Sequence, residues 1–475
     1  MSTQELALEI DGREVRTARR VEITNPHTGE VVGATFFAGE DELKQATRAV
    51  VQGFARMRAL PSHERYKILA GVAERLRDRR EEMARSITAE NAKPIKDART
   101  EVDRAGVTFT TAAEETKRIG GEAIPLDWLP GAEGRWAIER RFPAGPVLAF
   151  TPFNFPLNLC AHKVAPALAA GCSILLKPAP GTPLTALRLG ALVREAGAPE
   201  GACVVVPCDN DVAPRLVEDD RFAVLSFTGS DRVGWALKAK SGRKRVLLEL
   251  GGNAALIVNA DADLEAAARR AVIGGFAYSG QVCISVQRIY AHQKIFDSFL
   301  EKLLAGARAL KVGDPFDDNT SVSSLIRPGE AERVDAWIQE ARAGGASVLL
   351  GGKRKDSLVE PTVLTSTKPD MKVVREEAFG PLVVVEPFGD LERAFAAVND
   401  GRFGLQVGFY TNDLRAAWRA FETLEVGAVM INEVPAYRAD HMPYGGVKDS
   451  GLGREGVRYA IEEMTERRLL VLNLR

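Results

Sequence analysis

Residues 146–151 read PVLAFT, residues 172–178 CSILLKP, residues 203–207 CVVVP and residues 222–228 FAVLSFT. Each is a short, nearly unbroken apolar run, and amphipathic segments of helix length lie between them. A strand that is apolar on both of its faces is covered on both, which is how parallel sheets flanked by helices read. The pattern predicts a doubly wound α/β domain. Ligands of such sheets bind beyond the carboxyl ends of the strands. There this chain carries TPFN (151–154), KPAP (177–180) and TGS (228–230).

Downstream, a second alternating region starts at NAALIVN (253–259). It continues through helical stretches near Leu264–Phe276 and Ile295–Leu304 to PLVVVEPF (381–388), VGFYTN (407–412) and VGAVMIN (426–432). That is enough material for a second α/β domain. Upstream, Ile68, Leu69, Val72 and Leu76 fall on one face at helical spacing, as do Leu43, Ala46, Val50 and Phe54, so this part reads as packing helices. The last segment, TERRLLVLNLR (465–475), is a strand without a hairpin partner, and its natural mate is WAIERRF (136–142). Two strands apart from both cores call for a second chain to cover them, so a homodimer or homotetramer is expected. If they simply edge one of the main sheets, that need disappears.

Composition narrows the function. The 475 residues carry 63 Lys+Arg against 64 Asp+Glu, a net charge of -1, so no global field favours nucleic acid or an acidic membrane. The start, MSTQELALEIDGREVRT, lacks a long apolar segment, and no run of membrane-spanning length follows. A cytoplasmic enzyme with a small-molecule substrate is expected. Five cysteines without a C-x-x-C pair suggest neither a disulfide frame nor a metal site. Cys160, Cys172, Cys203 and Cys208 lie in or beside apolar runs and read as core residues. Cys283, in YSGQVCISVQR (278–288), sits among small and polar residues instead.

A cysteine nucleophile needs a base and a donor for the oxyanion that it creates. Glu249 ends the apolar run VLLELGGN (246–253), where partial burial raises a carboxyl toward the range of a useful base. Asn154 lies just past a strand end, with an amide able to donate to an alkoxide. Singly, each has a blander reading: an inert thiol, an ion-pair partner, a turn residue.

Taken together with their surroundings, these residues resemble the aldehyde dehydrogenase superfamily. The matching segments run the length of the chain in order: TPFNFPL, AHKVAPALAAGC, LLKPAPGTPL, SFTGSDRVG, LELGGN, GQVCIS, EEAFGPL and PYGGVKDSGLGREG. The resemblance implies a cofactor domain (1–124 and 144–251), a catalytic domain (252–456) and a small β oligomerisation flap (125–143 and 457–475). It makes Cys283 the nucleophile, Glu249 the base that activates the deacylating water, and Asn154 half of the oxyanion hole, the other half being the Cys283 N–H. Lys163 falls where members often keep a lysine near the base's proton path; a helix-surface charge is the alternative. Gly229 and Ser230 match the turn that meets the pyrophosphate at a helix N-terminus. Lys177 and Glu377 resemble the ribose-holding residues, and Phe379 packs at the nicotinamide. Thr151, Pro152, Phe153, Pro180 and Leu250 complete the implied cofactor wall.

The resemblance implies NAD or NADP as cofactor. Many NAD-using members carry a glutamate three residues after the lysine of KPAE, and this chain has Pro180 there. No repulsion of a 2′-phosphate and no phosphate clamp is visible, and the lean to NAD is slight. NEVPAYRADHMPYGG (432–446) and KRIGGE (117–122) are similar to members acting on lactaldehyde, glyceraldehyde 3-phosphate or phosphonoacetaldehyde. Arg118 and Arg438 are the candidates for holding such a substrate, with solvation of Arg118 and pairing of Arg438 to Asp440 as alternatives. His162 and His441 read as structural, and no metal site is expected. A coenzyme A-acylating semialdehyde dehydrogenase and a non-catalytic relative are the competing functions. Retention of Glu249 speaks against the first, and the joint presence of Cys283, Glu249 and Asn154 against the second.

Overall fold

The computed structural model describes residues 4–474; the outermost ends of the expected flap and cofactor segments, 1–3 and 475, lie outside them. The four apolar runs and VLLE form one parallel sheet. Its order is Cys203–Val205, Ile174–Lys177, Val147–Phe150, Val224–Thr228 and Arg245–Glu249, closed by the short antiparallel strand Gly451–Leu452. Successive side chains of a strand point to opposite faces, and here they fill two different cores. Val147, Ala149, Ile174 and Leu176 pack into one with the helices Ser62–Asp78, Ile95–Thr116 and Asn158–Ala170. Leu148, Phe150 and Leu175 pack into the other with the helix Glu40–Ala59. Chain order reverses beside Val147–Phe150, and TPFN and TGS both open into the crevice at that reversal.

The second sheet runs Ser347–Leu350, Thr362–Thr365, Leu382–Phe388, Val286–His292, Ala254–Val258, Gln406–Tyr410 and Ala428–Ile431, parallel except at its first strand. It is split in the same way: Leu256 and Val258 face one core, Ala255 and Ile257 the other. The expected pair of doubly wound α/β layers is what the chain forms.

The flap departs from expectation in its boundaries. Thr465–Asn473 pairs antiparallel with Arg135–Pro143, as read from sequence, in a sheet separate from both main ones. A third strand, Gly121–Pro125, joins it. Val457–Glu463 is a helix, with Val457 and Ile461 in the cofactor-side core, so that segment belongs to the body of the molecule. Among the described residues no helix is long and apolar enough to cross a membrane.

Candidate active site

A cavity of about 1070 Å³ opens between the two sheets. Cys283, Glu249 and Asn154 all line it, though 34 to 129 positions separate them in the chain and three different elements carry them. Asn154 follows Val147–Phe150, Glu249 ends Arg245–Glu249, and Cys283 follows a tight turn after the helix Leu264–Phe276. In that turn Tyr278 and Ser279 hold φ values of 47° and 56°, a left-handed backbone that side chains disfavour and that tertiary contacts must impose. The two glycines after Glu249 are required by close approach. A Cβ on Gly252 would collide with the Cys283 carbonyl, and one on Gly251 with the Glu377 carboxylate.

Burial pushes the Cys283 thiol up to about 11, against a hydrogen bond between its Sγ and Tyr444 Oη at 3.0 Å. Glu249 is 3 % exposed, and neither of its carboxylate oxygens has a hydrogen-bond partner. Burial, reinforced by the nearby Glu455 charge, raises its carboxyl well above the ordinary range. Asn154 donates from Nδ2 to the Gln281 carbonyl at 2.9 Å. An amide nitrogen carries two N–H groups, so one bond orients it and the second is left for a ligand.

Behind this floor lies a buried ion cluster. Lys163, read as either relay or surface charge, is 1 % exposed and donates to Ser226 Oγ at 3.0 Å and Glu455 Oε1 at 3.1 Å. Arg438 bonds Glu455 Oε2 at 3.1 Å and stacks its guanidinium 3.7 Å from the Tyr444 ring centroid. Burial opposes a charge on Glu455, but Lys163 and Arg438 outweigh it and hold the carboxyl low. Asp440 accepts from Arg104 at 2.7 and 3.0 Å and pairs with His162 at 2.8 Å. The alternative reading, in which Arg438 pairs with Asp440, is not the arrangement formed: Arg104 takes that carboxylate, because the helix Ile95–Thr116 brings it alongside, and Arg438 bonds Glu455.

Arg118 stands apart. It follows the far end of that helix, its side chain is 62 % exposed, it pairs with Glu115, and it is not among the cavity-lining residues. The helix rises 1.5 Å per residue, so the cavity meets only its first turns, at Asp97, Thr100, Glu101 and Arg104. Arg438 does line the cavity. His162 is buried in the ion cluster and His441 is exposed.

Seven of the ten residues assigned to a cofactor follow one wall of the cavity, and Thr151, Lys177 and Pro180 are not among its lining. Pro152, Phe153, Gly229, Ser230, Leu250, Glu377 and Phe379 all line the cavity. Gly229 and Ser230 precede the helix Asp231–Lys240, whose first N–H groups have no side-chain cap. Glu377 accepts from the Gly252 N–H at 2.9 Å, and burial lifts it to about 7. Phe379, at φ 46°, meets Phe153 edge-on at 5.8 Å. Lys177 lies at the neighbouring strand end with Nζ 2.6 Å from Asn210, Pro180 is half-buried in the following turn, and Thr151 is buried beside Cys160. Open backbone donors, a buried carboxylate and an aromatic wall fit a dinucleotide.

Sequence reading missed Tyr444, Glu455 and Arg104 as site residues and named Asp440 only as a possible partner of Arg438. The first two lay inside PYGGVKDSGLGREG, already singled out; nothing local marks Arg104 or Asp440.

The aldehyde dehydrogenase family matches residues 14–470. The chain is 44 % identical over 472 residues to the 3-sulfolactaldehyde dehydrogenase of Priestia megaterium, covering 99 % of this chain and 98 % of that one. It is similar to the crystal structure of aldehyde dehydrogenase 21 from Physcomitrella patens in complex with the reaction product succinate, with TM-score 0.98, 41 % identity, and 100 % and 99 % of the two chains covered. The NADP complex of the NADP-dependent glyceraldehyde-3-phosphate dehydrogenase from Bacillus halodurans aligns with TM-score 0.97 and 34 % identity, over 99 % of this chain and 100 % of that one. Matching structures include both NAD-dependent and NADP-bound members. The chain belongs to the aldehyde dehydrogenase family and is an NAD(P)-dependent enzyme that oxidises aldehydes.

Proposed function

We propose that the substrate is a small aldehyde carrying an anionic or hydroxyl group, and that it leaves as the carboxylic acid through a thioester on Cys283. The observation that supports this most is the convergence of Cys283 with Asn154 and a partnerless Glu249 in one cavity. The Cys283 thiolate attacks the carbonyl carbon, and the free Asn154 N–H with the Cys283 N–H holds the oxyanion. Phe153 and Phe379 would hold a nicotinamide on this wall, and that group would supply the hydride acceptor needed for the adduct to become a thioester. Glu249 then takes a proton from water as it adds to the thioester, and the acid and free Cys283 are regenerated. Lys163 stabilises charge on Glu455 beside Glu249 and so acts behind the base.

For the substrate, Arg438 is retained and Arg104 replaces Arg118. Both line the cavity beside carboxylates that hold them in place, and planar guanidinium groups suit carboxylate, sulfonate or phosphate. The activity named for the Priestia relative, on an aldehyde bearing a sulfonate, supports the anionic choice. Cofactor preference keeps its slight lean to NAD, supported by the lack of any cation at Pro180.

We assign cofactor binding to 1–124 with 144–251, except for the flap strand Gly121–Pro125 and with the helix Val457–Glu463 packed on this side, catalysis to 252–456, and subunit contact to the flap. Trp136, Leu469, Leu470 and Val471 expose apolar surface there, which a second copy of this chain would cover in a dimer or tetramer. A cytoplasmic location fits the five free thiols.

The test is a panel of sulfonated, carboxylated, phosphorylated and neutral aldehydes with NAD and with NADP, followed by reduced-nicotinamide absorbance. Anionic aldehydes should give the highest kcat/KM without coenzyme A. A requirement for coenzyme A, or a preference for neutral aldehydes, would overturn the reading.

A further inference from the structure

Tyr444 is 3 % exposed, and its hydroxyl makes its hydrogen bond to the sulfur of Cys283. A phenyl ring alone would fill this volume. A buried tyrosine hydroxyl needs a partner, and here the partner is the reacting atom. The backbone sets this geometry. Tyr444 and Glu455 exchange N–H···O bonds at 3.0 and 2.6 Å, so the residue that touches Cys283 is clamped to the one that pairs with Lys163 and Arg438.

We infer that Tyr444 is the hydrogen-bond donor that stabilises the Cys283 thiolate, and that Arg438 supports the nucleophile both by its charge and through the Tyr444 ring. In the neutral pair either group can donate. Once the thiol has lost its proton, only the phenol O–H can. Burial keeps the Tyr444 hydroxyl well above its ordinary value, so it stays a donor and is not the base that removes the proton. Burial is the largest influence on Cys283 and opposes its ionisation, as do Glu377 and Glu249; of those that favour it, the Tyr444 bond is the largest and the charge of Arg438 the next. The Arg438 guanidinium over the ring face draws electron density from the phenol and makes its O–H a stronger donor. Arg438 is thus a positioning residue for the nucleophile, and Tyr444 a catalytic one.

The inference rests on Cys283 being the nucleophile. It is tested by the pH dependence of iodoacetamide alkylation of the full-length protein, with the modified residue located by peptide mass. Tyr444→Phe should raise the midpoint for Cys283 by about one unit and slow alkylation about tenfold below it, since a hydrogen bond to a charged group is worth that much. Arg438→Met should move it the same way by less. A 3-fluorotyrosine placed at 444, a stronger donor of the same size, should move it down. An unmoved or lowered midpoint in Tyr444→Phe, or an unmoved one with fluorotyrosine, overturns the inference. Should Cys283→Ala still oxidise aldehydes, the nucleophile assignment fails instead, and the two failures are distinguishable.

Discussion

The floor of the cavity and the ion cluster behind it lie at the same depth and treat their polar groups in opposite ways. Both Glu249 oxygens and Asn154 Oδ1 are buried without a partner. Behind it, the polar ends of Lys163, Glu455, Asp440 and His162 are all hydrogen-bonded, with Arg438 bonded through its Nη2. A buried polar group without a partner costs stability, so the floor is an arrangement that a ligand or water completes. The cluster is complete but for Arg438 Nε, and its charges set the field in which the floor works. What the difference teaches is where to expect loss of activity and where loss of stability.

Cys283→Ala tests the floor most severely. Aldehyde-dependent reduction of the nicotinamide should fall by at least about 10⁴, with the thermal midpoint little changed. Glu455→Gln tests the cluster. It leaves Lys163 and Arg438 as buried cations without their shared carboxylate, which should cost about 3–5 kcal/mol in denaturant unfolding. If stability were unchanged, the contrast between the two regions would not hold.

Glu249→Gln belongs to the floor again. Steady-state turnover should drop about a hundredfold or more, while a first burst of reduced nicotinamide survives, because hydride transfer precedes the water step. As the proposed base, Glu249 would act only when ionised, and burial raises its carboxyl. Turnover in the parent should therefore climb as pH rises through that elevated value and fall as pH drops, a limb that Glu249→Gln removes. Arg104→Ala should raise KM about tenfold for an anionic aldehyde, the worth of one charge-assisted contact, and leave a neutral one nearly unaffected. Arg118→Ala should change neither constant, since its guanidinium faces solvent beside Glu115.

Legibility differed along the same division. Each strand of the cofactor sheet is announced by its own apolar run, because burial on both faces is a local property of four or five residues. Cys283, Glu249 and Asn154 could be picked out for the same reason: each has an unusual immediate setting, and the family resemblance orders them. The ion cluster could not. Arg104 and Arg118 both sit among charged neighbours on a stretch that reads as helical, and the fourteen positions between them place one on the helix at the cavity and the other past its far end. The flap was half-legible. The pairing of 136–142 with the terminal strand was readable from composition, but Gly121–Pro125 is short and Val457–Glu463 looks like a continuation of the strand until its apolar side is seen packed into the core.

By itself, then, the order of residues determined the two layered sheets, the family and the three groups at the floor, since these depend on periodicity and on short motifs carried within single segments. Tertiary structure alone decided that Arg104 rather than Arg118 reaches the cavity, that Arg438 pairs with Glu455, and that Tyr444 meets the sulfur. Those are contacts between residues up to 336 positions apart, and nothing short of folding brings such distant charges and hydroxyls within hydrogen-bond range.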